Sequence, residues 1–204
     1  MKKLSLIAIS LSFAATAFAN PDPKKAEPAK PADKAAAPAD KAAPSTPAPA
    51  DMQAKPAAEL AQLDGMVGTW KCSGTVNVMG KEMKTESTMK YAWDMDKFWM
   101  VGNGVEKKQK GMPQYKSHDM IGFDAGKKEF VRMGVDNMGA MSMASTKGWN
   151  GDKMEWAGMA KMNGQDMKLM ETVTKDASGK QVAIKGHFMA GAQQPVAWDI
   201  SCKK

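Results

Sequence analysis

The stretch Thr69-Trp70-Lys71-Cys72-Ser73-Gly74-Thr75-Val76-Asn77-Val78-Met79 decides the fold class. Trp70, Cys72, Val76 and Val78 fall at alternate positions, with Lys71, Ser73, Thr75 and Asn77 between them. Successive side chains of a strand point to opposite faces, so this stretch reads as a strand with one dry and one wet side. Upstream, 57–64 reads as a short helix with Leu60 and Leu63 on one side, ended by Gly65 and Gly68. Downstream the same strand signal recurs at 82–93, where Met83, Met89, Tyr91 and Trp93 share a face, and at 98–107. Further strands are expected at 115–123, 129–136, 141–149, 153–162, 167–175, 181–189 and 196–203. Gly80-Lys81, Asp124-Ala125-Gly126, Asn137-Met138-Gly139, Asn150-Gly151-Asp152, Asn163-Gly164 and Ser178-Gly179 separate them. Such turns tolerate positive φ and suit tight antiparallel hairpins.

About ten up-and-down strands leave two open edges, and closure into an antiparallel barrel removes them. The expected fold is therefore all-β, an up-and-down barrel of about ten strands over 57–204 with a short N-terminal helix. The two cysteines fit closure: Cys72 follows Trp70 on the dry face of the first strand, and Cys202 follows Val196, Trp198 and Ile200 on that of the last. In a closed meander those strands are neighbours, and a lone cysteine pair in an oxidising compartment reads as a disulfide.

The compartment is read from the N-terminus. Lys2 and Lys3 precede an apolar run at 4–13, and Ala17-Phe18-Ala19 offers a small-x-small cleavage pattern. The run is too short to span a bilayer, so 1–19 is expected to be a signal peptide, and the mature chain periplasmic or, failing that, secreted. Segment 20–56 is almost all Pro, Ala, Lys and Asp and holds nine of the eleven prolines. Such a segment cannot offset its ordering entropy by burial and is expected to be a disordered, extended tether.

Several short motifs carry a resemblance. Gly68-Thr69-Trp70 behind a helix resembles the Gly-x-Trp opening of lipocalin-like barrels. LDGMVGTW at 63–70, Ile121-Gly122-Phe123-Asp124, KKEFV at 127–131 and Asp136-Asn137-Met138-Gly139 resemble the bacterial family catalogued as domain of unknown function 1579, over roughly 57–204. The resemblance implies a calycin-like barrel and brings no activity with it. The haem-binding nitrobindin group, which is related, shows Gly-x-Trp-x-Gly-x-Gly; Gly68, Trp70 and Gly74 match, but Cys72 replaces the middle glycine, and no cofactor is expected.

Methionine is the compositional oddity: eighteen from Met66 onward, against the single leucine Leu169. Methionine fills irregular cores and lines adaptable cavities, which is the leading reading here. Scavenging of oxidants and binding of Cu(I) by clustered thioethers are the alternatives. His118 and His187 are isolated and read as structural or solvent-facing. Arg132, the one arginine, either clamps an anion or pairs with a neighbouring carboxylate, Asp136 or Glu129. No catalytic motif or metal-ligand spacing is present, so no enzyme is expected. The formal charge of +7, two units of it from Lys2 and Lys3, is spread along strands and turns. For an exported domain without a basic aromatic platform no nucleic-acid partner is expected.

The functional expectation is a monomeric domain, not membrane-spanning, that binds a small apolar or amphipathic ligand inside the barrel. Trp70, Met83, Met89, Tyr91, Trp93, Trp156 and Trp198 are the expected lining. The alternative is a structural or envelope-stress protein whose barrel is filled by its own side chains; a haem or copper protein comes third.

Overall fold

A computed structural model of the chain describes residues 54–109 and 113–204. The expected signal peptide (1–19) and nearly all of the expected linker (20–56) lie outside the described residues. Eleven strands follow a 3-10 helix, Ala58–Met66, and a second, three-residue 3-10 helix, Met95–Lys97, joins the second strand to the third: β1 (Gly68–Val78), β2 (Lys81–Asp94), β3 (Trp99–Glu106), β4 (Lys116–Asp124), β5 (Glu129–Asp136), β6 (Met141–Thr146), β7 (Trp149–Asn150), β8 (Lys153–Met162), β9 (Gln165–Lys175), β10 (Gln181–Ala190) and β11 (Gln193–Lys203). All pairings are antiparallel; the wall runs β1-β2-β3-β4-β5-β6-β8-β9-β10-β11, and β11 pairs back onto β1. The result is a closed ten-stranded barrel with β7 as an extra two-residue strand on β8.

Alternation along β1 sets which way each side chain points. Trp70 and Cys72 are buried inside the wall while Thr69, Lys71 and Ser73 are exposed outside it. Cys72 stands directly opposite Cys202, Cα–Cα 4.0 Å, and the two form a disulfide. The bridge spans 130 residues, enough to stabilise the fold by on the order of 4–5 kcal/mol in the chain-entropy picture.

The helix closes one end. Leu60 and Leu63 pack with Met100, Ile121, Phe130 and Met154 as a buried floor. Trp70 Nε1 donates to the Met66 carbonyl at 2.7 Å, and Trp93 Nε1 donates to Asp64 Oδ1 at 2.9 Å, pinning the last turns of the helix to the wall. The helix is 3-10 rather than a regular α-helix, and it runs past Gly65 to Met66, two residues beyond the expected end.

One expected strand is broken. Residues 141–149 read as continuous, but the chain leaves the sheet between Thr146 and Trp149. Gly148 adopts φ +94°, and a Cβ there would sit 2.8 Å from both Gln62 Oε1 and the Phe130 ring. Thr146 Oγ1 accepts from the Gly148 amide at 3.2 Å. The break lets the wall accommodate the helical floor, a contact that no local pattern encodes.

At the other end the inward side chains Val76, Val78, Met83, Phe188, Val196 and Trp198 are only half-buried. The barrel is therefore filled at the helical floor and looser at the opposite mouth.

Candidate functional site

Two chambers lie inside the wall. The inner one, of about 60 Å³, is bounded by Trp70, Met89, Tyr91, Arg132, Trp156 and Glu171, among others. The outer one, of about 210 Å³ and nearer the mouth, is bounded by Val76, Met89, Tyr115, Trp198 and Ile200, with Thr85, Ser87 and Glu106 on its polar side. Met89 lines both, so its flexible thioether stands between them.

The register builds a polar waist on the wall of the inner chamber. Arg132 on β5 points inward, and its Nη1 donates to Glu171 Oε1 on β9 at 2.6 Å. Both side chains are largely hidden, 16% and 10% exposed. The second Glu171 oxygen accepts from Trp198 Nε1 at 3.2 Å, and the guanidinium lies 4.8 Å from the Trp156 ring centroid, a cation–π contact. Trp198 in turn packs on Phe188 with centroids 5.1 Å apart. Arg132 therefore takes neither partner expected from the sequence. Glu129 pairs with Lys147 at 3.1 Å, and Asp136 accepts from Tyr115 Oη at 3.2 Å and from turn amides. Both of those carboxylates sit at strand ends, whereas Arg132 sits mid-strand facing the lumen.

Asp119 and Tyr91 complete the waist. Tyr91, Gly102, Asp119 and Gly134 stand opposite one another along one row of the inner wall. Gly102 gives the Tyr91 ring its room, since a Cβ there would overlap the ring. Burial pushes the Asp119 carboxyl above the usual carboxylate range; Arg132 pulls the other way, and Glu171 adds to the rise. Burial also raises the Tyr91 phenol, reinforced by Asp119, so the phenol stays protonated and can donate.

Of the residues singled out in the sequence, Trp70, Met89, Tyr91 and Trp156 line the inner chamber, and Trp198 the outer one. Met83 and Trp93 face inward but border neither chamber, Trp93 being turned to the helix. Arg132 was visible only as a lone arginine. Glu171 and Asp119 carry no sequence signal, because a carboxylate among exposed residues on neighbouring positions looks the same whichever way the strand turns. His118 is exposed, its Nδ1 2.9 Å from Asn103 Oδ1. Among the described residues, no three His, Cys, Asp or Glu side chains converge to hold a metal ion. Nor is any described helix long and apolar enough to cross a membrane.

The architecture is similar to that of the crystal structure of Rv2717c from M. tuberculosis, with a TM-score of 0.56. The likeness covers 74% of this chain and 100% of that one at 10% sequence identity, so it speaks to the fold alone. No curated protein matches the sequence. Residues 55–195 match the family model described as protein of unknown function (DUF1579), and the chain belongs to that family.

Proposed function

We propose that the chain is an exported, non-enzymatic binding module, a calycin-like barrel that holds one small amphipathic molecule in its lumen. The observation that carries this reading is the pair of chambers that share Met89, the inner one walled by the Arg132–Glu171 pair. The apolar body of a ligand fits the outer chamber against Val76, Trp198 and Ile200, and its polar end turns to the Tyr91 phenol and the ion pair of the inner chamber. Pockets of this kind are mostly apolar with a few convergent polar groups that fix orientation. At about 210 Å³ the outer chamber is below the usual drug-sized range, so the ligand is small. Export, to the periplasm first, rests on the leader-like 1–19 and agrees with the Cys72–Cys202 disulfide.

Native mass spectrometry of protein purified from periplasm tests this. A co-purified organic mass, lost on denaturation and lost in Trp198→Ala, is the expected result. A bare chain mass in every preparation would instead support a barrel filled by its own side chains, the reading favoured by the packed floor under Leu60 and Leu63.

A further inference from the structure

We propose that the outer face of β5, β6 and β8 carries a thioether site for a soft monovalent cation, Cu(I) in particular. The site lies on the outside of the wall and is independent of the lumen reading. Its basis is register. Met120 on β4 stands opposite Met133 on β5, Met133 opposite Met143 on β6, and Met143 opposite Met159 on β8. Directly opposed residues of antiparallel strands share a face, with Cβ atoms about 4.5–5.5 Å apart. Arg132 and Ala144, the chain neighbours of this row, face inward, so the methionines face out. Met141, two residues from Met143, lies on the same outer face.

Burial sorts these methionines from those of the core. Met100, Met154 and Met167 are buried, as the leading reading of the sequence expected. Met133, Met141, Met143 and Met159 are 38–60% exposed and pack against no interior. A single exposed apolar side chain needs no account. Three of these four, Met133, Met143 and Met159, stand in adjacent register positions, where a barrel exterior ordinarily carries polar residues, and so place their one functional atom, sulfur, in a row. Met141, Met143 and Met159 also border a surface recess of about 330 Å³, with Asp166 at its rim. Lys161 beside the recess is engaged by Asp166 at 3.7 Å, which tempers its repulsion of a cation.

The donor set selects the ion. Thioethers are neutral, soft ligands that favour Cu(I) over hard or borderline divalent ions. Both cysteines of the chain are locked in the disulfide, so no thiol competes. Methionine has the torsional freedom to swing sulfurs from neighbouring strands toward one ion. Met143 is the central ligand, reaching Met133 on one side and Met159 on the other.

The test uses the disulfide-bonded mature chain with its methionine methyl groups labelled with carbon-13. Ag(I), an air-stable stand-in, is added in chloride-free buffer and followed by NMR; Cu(I) is then titrated anaerobically against a chromogenic Cu(I) chelator. The expected result is saturation near one equivalent, with the Met133, Met143 and Met159 methyls shifting together. Met143→Leu should weaken Cu(I) binding roughly tenfold or more, the least that loss of a group one shell further out costs. Met79→Leu, in the β1–β2 turn and 76% exposed, should change nothing. Unchanged thermal unfolding of both variants excludes misfolding as the cause. No saturable binding would overturn the proposal. So would shifts that track exposure alone, with Met79 leading, or a Met143→Leu chain that binds like the parent.

Discussion

β1 meets β11 across 130 residues of chain, whereas β6 meets β8 across a short connection that contains only β7. Both junctions need a glycine on the inner wall. A Cβ on Gly74 would overlap the Asp199 carbonyl oxygen, and one on Gly158 would overlap that of Met143. They are secured differently. The distant junction is joined by the Cys72–Cys202 disulfide between directly opposed residues. The local one is spanned from inside by the Arg132–Glu171 pair, whose members sit on β5 and β9, the strands flanking β6 and β8. The entropy of bringing chain ends together grows with the length of the intervening loop. The covalent tie therefore stands where closure is costliest, and the ionic one where the chain has already brought the strands together. An ionic tie in the lumen also supplies polar groups that a ligand can use, which a disulfide does not.

The sharpest way to break this contrast is to remove the covalent tie. Replacing Cys72 and Cys202 together by serine should lower stability by on the order of 4–5 kcal/mol, read as the shift of the urea midpoint. An unchanged midpoint would show that the β1–β11 ladder closes the barrel unaided. Next comes Arg132→Met, which leaves Glu171 buried without its cation and should cost about 3–5 kcal/mol in the same assay. The double variant Arg132→Met/Glu171→Leu should recover most of that loss, because both charges are gone. If the double is as unstable as the single, the pair is not the tie at the β6–β8 junction.

The smallest effect concerns pH. The folded Asp119 holds its proton more tightly than the unfolded chain does, so its contribution is fully present below the ordinary value of 3.8. It is lost as pH rises through the raised folded value, since the buried carboxyl must then ionise beside Glu171. Stability should decline over that window, and Asp119→Asn should flatten the decline. Stability–pH curves for the two chains that run parallel would remove Asp119 from the waist. The disulfide junction has no titrating partner and should contribute nothing to this slope.

Much of the wall was legible from residue alternation. β1, β2 and β8 stand where the period of two put them, and Cys72 and Cys202 lie on the dry faces of the end strands as the alternation expects, directly opposed in the β1–β11 register. The interruption at Gly148 was not legible, because the residues it packs against, Gln62 and Phe130, are distant in the chain. Nor was the partner of Arg132: Glu171 lies 39 residues away, and only the stagger of the strands around the barrel brings it across the lumen. The methionines divide the same way. Their abundance is plain in the sequence, but an exposed Met143 and a buried Met154 look alike until the face of each strand is known.

The sequence by itself determined that this chain forms antiparallel strands, that they close on one another, and that the first and last strands are joined through Cys72 and Cys202. Those properties follow from local periodicity, turn chemistry and a cysteine pair that has no other partner. The tertiary structure alone decided which end of the barrel is filled, which charges meet in the lumen, and which methionines face water. Those depend on strand stagger and on contacts between residues distant in the chain, and a one-residue change of register would send each side chain to the opposite face.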